Sequence, residues 1–162
     1  MITAIGPQLR CASMHLSSDD GGNSSPHSKG RAKSKHSQTV RRVAVVEDEL
    51  MVAWSIETML EDLGHEVIGL YPSGEKALLA LATADVDLLC MDINLGSGID
   101  GIETARRIRE TQPASVLFIS AYSDAATKSR ALETVPGAVF LGKPLGRSAL
   151  QEAIENIDRR IN

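Results

Sequence analysis

The sequence predicts an α/β domain in which five parallel strands form a sheet covered on both faces by five helices. Short apolar runs alternate with segments whose apolar residues recur at helical spacing, and the alternation repeats five times in the last 120 or so residues. Apolar runs bounded by turn residues are typical of strands buried on both faces. Strands that alternate regularly with helices favour a parallel, doubly wound sheet.

The first half of this alternation contains three strands and two helices. The apolar run 43–46 predicts the first strand, and it is followed by a helix over 51–63 whose apolar residues repeat every three or four positions. Gly64 is a typical stop for that helix. A second strand covers 66–71, and a Pro-Ser-Gly turn then leads into the second helix. Residues 86–91 form the third strand, whose apolar run ends at Asp92.

The second half repeats the pattern with weaker signals. A helix over 99–110 places three apolar residues on one face, and residues 116–120 form a fourth strand. A less regular helix covers 124–134. A fifth strand over 138–141 and a closing helix over 148–161 complete the domain.

Composition excludes several classes of protein. Hydrophobic residues make up 43% and charged residues 23%, which is typical of a globular protein in water, and aromatic residues are only 3%, so the core must be aliphatic. No apolar run reaches the roughly 18 to 20 residues of a membrane span, and the N-terminus lacks the apolar core of a signal peptide. Two cysteines are too few for a disulfide framework. We therefore expect a cytoplasmic protein with no membrane partner.

Charge divides the chain into two parts. Residues 1–42 carry seven Lys or Arg and two Asp or Glu, whereas the remaining residues carry ten and nineteen. The first segment is also rich in Ser and Gly and can bury little apolar area. We expect residues 1–40 to be a disordered basic extension and residues 41–162 to form the domain. The basic cluster could contact nucleic acid, but a solvated tail is the favoured interpretation.

Polar side chains follow four of the five predicted strands. Glu47 and Asp48 come after the first, Asp92 after the third, Ser120 after the fourth and Lys143 after the fifth. Carboxyl ends of parallel strands meet at one edge of the sheet, where ligands of such folds bind. Clustered carboxylates repel unless a cation lies among them, and oxygen-only ligands suit Mg²⁺. A cation with a lysine and a hydroxyl suits a phosphoryl group, and a carboxylate can accept it covalently.

Each residue also has a plainer interpretation. Asp92 and Ser120 could cap turns, Lys143 could be a solvated loop lysine, and Phe140 could be part of the core. We interpret Trp54, in the first helix, as packing rather than function. Singly these residues are weak indicators, but the polar residues and Phe140 together, in this order along the chain, favour the functional interpretation.

In that combination the sequence resembles the receiver domain of two-component response regulators over residues 41–162. The features that carry the resemblance are Glu47-Asp48, Asp92, Ser120-Ala121, Phe140 and Lys143-Pro144. The resemblance implies a flavodoxin-like five-stranded parallel sheet of order 2-1-3-4-5 with five helices. It also implies a protein that is not an enzyme beyond its own phosphorylation and dephosphorylation.

The resemblance assigns a metal and phosphoacceptor site. Asp92 is similar to the aspartate that becomes 4-aspartylphosphate. Asp48 would bind Mg²⁺ directly with Asp92, Glu47 would assist, and Asn94 would offer its backbone carbonyl.

It also assigns a switch. Ser120 would hydrogen-bond the phosphoryl group, Lys143 would pair with it as a mobile charge, and Phe140 would turn inward as the hydroxyl moves. The Lys143-Pro144 bond is usually cis in this family.

Three positions depart from the family pattern. Glu47 replaces the commoner Asp, and Gly96 replaces the usual proline four residues after the acceptor, which removes stiffness from a loop that is slightly longer than usual. Tyr122 stands at a position that tunes hydrolysis of the acyl phosphate, and its bulk could shield the site.

The resemblance implies a stand-alone, Mg²⁺-dependent phosphorylation switch. A histidine kinase or histidine phosphotransfer protein would supply the phosphoryl group. An unidentified downstream protein would bind the surface of the fourth helix, fifth strand and fifth helix, and a homodimer formed on phosphorylation is a further candidate.

Two other functions remain open from the sequence. A Mg²⁺-dependent aspartyl-phosphate phosphohydrolase would place a second carboxylate where Asn94 stands. A receiver-like interaction module would never be phosphorylated.

Overall fold

The computed structural model describes residues 39–121 and 124–161, which contain five strands and five helices. The strands are β1 (Arg42–Val46), β2 (Glu66–Tyr71), β3 (Leu88–Met91), β4 (Ser115–Ser120) and β5 (Val139–Gly142). The helices are α1 (Leu50–Asp62), α2 (Gly74–Leu81), α3 (Gly101–Thr111), α4 (Ala125–Thr134) and α5 (Arg147–Ile161). Strands and helices alternate throughout, as the periodicity predicts.

All strand pairs are parallel, and the sheet order is β2-β1-β3-β4-β5, which confirms the predicted doubly wound topology. The register pairs Val46 with Met91 and Met91 with Phe118. The residues that follow β1 and β3 therefore leave the sheet side by side at its carboxyl edge.

The sheet separates two apolar cores. Because successive side chains of a strand point to opposite faces, Leu89 and Met91 pack with α2, α3 and α4, whereas Leu88 and Cys90 pack with α1 and α5. Burial of all four β3 residues explains why this strand is a continuous apolar run. The central strand is thus fixed on both faces, and Asp92 extends from a rigid base.

Helix ends follow local side-chain chemistry. Ser73, Asp100 and Asp124 each accept a hydrogen bond from a backbone N–H three residues on, which satisfies a donor that the helix itself leaves free. Gly64, with φ of +83°, follows α1 as predicted. Because Asp100 is the cap, α3 begins at Gly101, and the predicted start at residue 99 is wrong by two residues.

The third strand also begins later than predicted, at Leu88 rather than at residue 86. The N–H of Val86 is bonded to the side-chain Oε1 of Gln112 at 3.0 Å instead of to a neighbouring strand. The predicted extension over residues 1–40 lies almost wholly outside the described residues. Within the described chain, the longest helices fall short of the length and apolar character needed to cross a membrane.

Candidate functional site

The acidic pair after β1 divides into a buried and an exposed carboxylate. Glu47 is only 2% exposed, and its N–H donates to the carbonyl of Tyr71 at 3.0 Å. This bond continues the ladder with β2 by one residue. Asp48 follows immediately and faces solvent. The pair thus places one carboxylate inside the sheet edge and one at its rim.

Asp92 lies beside this pair. Its N–H donates to the carbonyl of Val46 at 2.9 Å, so the ladder between β1 and β3 extends to the residue itself. The side chain is 7% exposed, and its Oδ1 accepts the N–H of Asn94 at 3.1 Å. One carboxylate oxygen is therefore oriented by the following loop, and the other points toward the neighbouring strand ends.

Lys143 reaches the same place from β5. Its N–H donates to the carbonyl of Ser120 at 3.0 Å, and the Lys143-Pro144 bond is cis, as the resemblance implies. The ammonium Nζ lies 2.7 Å from Glu47 Oε2 and 2.7 Å from Asp92 Oδ2. The structure thus brings together the four charged residues that the sequence predicted at this edge.

The charges of the cluster perturb one another. Burial, which disfavours the charged carboxylate, raises the pKa of Glu47, and the adjacent charge of Asp92 adds to the rise while the hydrogen bond from Lys143 opposes it. Burial of the Lys143 ammonium acts to lower its pKa, but hydrogen bonds to Asp92 and Glu47 outweigh burial and raise it. The Lys143 ammonium therefore pairs with both Glu47 and Asp92, and with Asp48 the cluster has more negative than positive charge.

The donor set fits a small divalent cation. Oxygens of Glu47, Asp48 and Asp92 lie within 4.8 Å of one another. Glu47 Oε1 is buried and has no hydrogen-bond partner, alone among the buried side-chain polar atoms of the described residues. An orphaned buried oxygen is costly unless a ligand satisfies it. Three carboxylates with an unused buried oxygen suit Mg²⁺.

The two predicted switch residues lie on the neighbouring strands β4 and β5. Ser120 ends β4 at the same edge and is fully buried. Phe140 in β5 is partly buried, with its ring centroid 6.1 Å from that of Phe118. Lys128 of α4 places its ammonium 5.9 Å from the Phe140 centroid. The aromatic side chain thus lies between the apolar core and a charged residue of α4.

Comparison with known proteins identifies the family. The sequence pattern of the response regulator receiver domain matches residues 43–155. The chain belongs to this family. It is therefore a receiver domain of two-component signal transduction, and the predicted family is confirmed.

Curated relatives of this receiver domain are longer proteins. It is 32% identical over 116 residues to the transcriptional regulatory protein PdtaR of Mycobacterium tuberculosis, with 71% of the chain and 55% of PdtaR covered. It is 29% identical over 123 residues to a protein-glutamate methylesterase/protein-glutamine glutaminase of Trichodesmium erythraeum, with 74% and 35% covered. The match thus spans from about a third to about half of these relatives.

A solved structure agrees with the fold. The signal receiver domain of a modulated diguanylate cyclase from Desulfovibrio desulfuricans G20 is 30% identical, with a TM-score of 0.68, 75% of this chain and 96% of that chain covered. The receiver domain of Methanospirillum hungatei JF-1, at 22% identity and a TM-score of 0.67, shows the fold alone.

Sequence reasoning missed the contacts of the loop that follows the receiver's Asp92. Asp100 caps α3 and also pairs with Arg130 of α4 at 2.6 Å. A Cβ at Gly101 would lie 1.8 Å from the carbonyl oxygen of Asp92, so this position admits only glycine. No periodic pattern in the sequence indicates this close approach of Gly101 to the Asp92 carbonyl.

Two further predictions concern aromatic residues. Trp54 is 47% exposed on α1, so its interpretation as packing is wrong. It stands two positions from both Val52 and Ile56, on the side of the helix away from the core. Tyr122, predicted to shield the site, lies outside the described residues.

Proposed function

We propose that this receiver domain is phosphorylated on Asp92 and works as a phosphorylation switch. The observation that carries the proposal is the position of Asp92, whose carboxylate is held by Lys143 at 2.7 Å and stands within 4.8 Å of the oxygens of Glu47 and Asp48. A carboxylate placed between a cationic side chain and a candidate metal site is suited to accept a phosphoryl group.

The transfer forms one bond and breaks another. A carboxylate oxygen of Asp92 attacks the phosphorus of a phosphohistidine on a histidine kinase or phosphotransfer protein. The phosphorus–nitrogen bond breaks, its electron pair returns to the imidazole, and the imidazole takes a proton from solvent. Asp92 then carries an acyl phosphate, whose oxygens Lys143 neutralises by exchanging its carboxylate contact for a phosphoryl contact.

Glu47, Asp48 and Asp92, with the backbone carbonyl of Asn94, would hold Mg²⁺. The ion supplies positive charge that neutralises phosphoryl oxygens during transfer. Glu47 Oε1 supports this assignment because it is buried and no described residue satisfies it.

Phosphorylation would change the surface that binds the downstream partner. Phosphorylation adds about −1.5 to −2 charges. Ser120 and Lys143 would move toward the new group, and Phe140 would turn into the space that the hydroxyl leaves. The partner surface then changes on α4, β5 and α5. The contact of Lys128 with the Phe140 ring supports this coupling, since rotation of the ring would break it.

We further propose that the chain catalyses only its own phosphorylation and dephosphorylation and acts in the cytoplasm. It would pass the signal to another protein. It would do so as a monomer or as a homodimer formed on phosphorylation. Its extension is proposed to stay free of nucleic acid.

Incubation with acetyl phosphate and Mg²⁺ tests the proposal. The wild-type chain is expected to gain the mass of one phosphoryl group, whereas Asp92→Asn and wild type in excess EDTA are not. Asp85→Asn, at an exposed aspartate away from the site, is the matched control and should gain the same mass as wild type. Absence of the gain in wild type, or its persistence in Asp92→Asn, would contradict the proposal.

A further inference from the structure

The loop between β3 and α3, residues 94–100, lies against two carboxylates of the site. Its base is closed by the N–H of Gly101, which donates to the carbonyl of Ile93 at 2.9 Å. At its start the N–H of Asn94 holds Asp92 Oδ1. At Gly96 the backbone passes Asp48 so closely that a Cβ would lie 3.3 Å from Oδ2. A shift of this loop would therefore move both Asp92 and the surroundings of Asp48.

The loop has little stiffness of its own. Gly96 and Gly98 adopt φ of +70° and +99°, in the left-handed region that glycine enters without steric cost. Glycine also gives the chain the largest choice of other conformations, and residues 93–101 contain no proline. A contact from outside the loop is needed to select one conformation.

Glu75, in the first turn of α2, makes that contact. Its Oε1 accepts the N–H of Ile99 at 2.9 Å. The carboxylate also packs against Gly98, where an added Cβ would lie 2.3 Å from Oε1. The hydrogen bond from Ile99 lowers the pKa of the Glu75 carboxyl, so the acceptor is ionised at neutral pH. Hydrogen bonds to an ionised acceptor are roughly twice as strong as neutral ones.

Glu75 stands on a base that is itself fixed. Ser73 caps α2 by accepting the N–H of Lys76 at 3.3 Å. Gly74 abuts α3 so closely that a Cβ there would lie 2.1 Å from Thr104 Oγ1. The start of α2 thus packs directly against α3, and the carboxylate acts from a defined position.

We propose that Glu75 is a positioning residue for the phosphoacceptor site, holding the glycine-rich loop in the conformation that orients Asp92 and brings the Asn94 carbonyl to the metal. This inference rests on the proposed phosphorylation of Asp92. Glu75 touches no reacting atom and acts through Ile99 and Gly98. It supplies from α2 the restraint that a proline in the loop would otherwise supply.

Three variants of the full chain test the inference. Glu75→Ala removes the acceptor, and Glu75→Gln keeps an Oε1 acceptor without the charge. Glu61→Ala removes an exposed glutamate near the far end of α1 and is the matched control. The measurements are amide hydrogen exchange of Ile99 without metal, Mg²⁺ affinity by calorimetry, and the rate of mass gain from acetyl phosphate at saturating Mg²⁺.

Glu75→Ala is expected to speed exchange at Ile99 by about tenfold, since a bond to a charged acceptor is lost. Mg²⁺ affinity and phosphorylation rate should each fall by about tenfold, the lower end of what loss of a supporting contact causes at metal sites. Glu75→Gln, which keeps a weaker neutral acceptor, should give values between those of Glu75→Ala and wild type, and Glu61→Ala should match wild type.

Two results would overturn the inference. If wild type is phosphorylated and Glu75→Ala matches Glu61→Ala in phosphorylation rate and Mg²⁺ affinity, the positioning role of Glu75 is refuted. The proposed function is not affected by that result. Glu75→Gln could be as slow as Glu75→Ala, which would make charge rather than the Ile99 bond the cause. A wild-type chain that gains no phosphoryl group would instead overturn the proposed function, and the inference with it.

Discussion

Replacing Glu47 with Gln should stabilise the metal-free domain. The side chain lies within 4.8 Å of two other carboxylates and 2.7 Å from the Lys143 ammonium. At an effective dielectric constant of about 20 and the upper-limit separation of 4.8 Å, each repulsion costs at least about 3.5 kcal/mol, and the attraction contributes about 6 kcal/mol. Burial of the charge, the main cause of the raised pKa of Glu47, adds to the cost, so loss of the charge should raise the free energy of unfolding by about 1 kcal/mol or more, or about 4 °C in Tm for a domain of this size.

Urea unfolding followed by the fluorescence of the single tryptophan, in EDTA and in excess Mg²⁺, measures this effect. In EDTA the Glu47→Gln variant should unfold at higher urea than wild type. In Mg²⁺ the order should reverse, because wild type gains from binding, by about 2.7 kcal/mol at a hundredfold excess over Kd, and the variant loses a ligand. Glu61→Gln, on the exposed face of α1, should stay within about 0.5 kcal/mol under both conditions.

The pH dependence follows from the raised pKa of Glu47, whose ordinary value is 4.5. In the window between 4.5 and the raised value, the folded state binds more protons than the unfolded state, so the stability contributed by this group falls as pH rises. The destabilisation caused by the Glu47 charge is fully present at pH values above the pKa of Glu47 in the folded state, and it is absent below about pH 4.5. The advantage of Glu47→Gln should thus shrink on acidification. A variant less stable than wild type in EDTA at pH 7 would show that the attraction to Lys143 outweighs the two carboxylate repulsions.

Four other substitutions should separate the contributions of packing, capping and titration to stability, each measured by urea unfolding. Gly101→Ala should cost more than about 3 kcal/mol because its Cβ meets the Asp92 carbonyl. Asp100→Ala should cost about 1 kcal/mol through the lost cap, whereas Arg130→Ala, which removes only a surface pair, should cost less than about 0.5 kcal/mol. Burial lowers the pKa of His65, so wild-type stability should fall as pH drops below 6.5, and His65→Gln should reduce that fall.

Each of these has a contradicting outcome. A wild-type-like Gly101→Ala would show that the loop relaxes around the added methyl. Equal losses in Asp100→Ala and Arg130→Ala would assign the stability to the ion pair instead of the cap. A pH profile unchanged by His65→Gln would place the acid sensitivity elsewhere.

Much of the site was predictable because a parallel sheet collects the carboxyl ends of its strands at one edge. Residues that are far apart in the chain, such as Glu47 and Lys143, are brought together by topology alone. The alternation of elements therefore predicts the cluster without knowledge of side-chain conformation. Boundaries were less accurate because a cap such as Asp100 competes with apolar periodicity for the helix start.

The remaining contacts had no sequence signal. Glu75 and Ile99 are 24 positions apart, and Arg41 and Asp158, which form an ion pair, are 117 apart. Such pairs depend on the exact positions in which neighbouring elements pack against one another, and hydrophobic periodicity in the sequence does not specify those positions. Trp54 differs, because its offset from the apolar positions of α1 does indicate exposure, although tryptophan is on average a well-buried residue.

Of the three adjacent carboxylates, Asp92 is the one that the proposed function assigns as the phosphoryl acceptor. Borohydride reduces an acyl phosphate to an alcohol but leaves free carboxylates unchanged. After treatment with acetyl phosphate and Mg²⁺, reduction followed by peptide mass mapping should convert position 92 to homoserine and leave Glu47 and Asp48 intact. Reduction at Asp48 or Glu47, or no reduced peptide in a chain that has gained phosphoryl mass, would contradict the account.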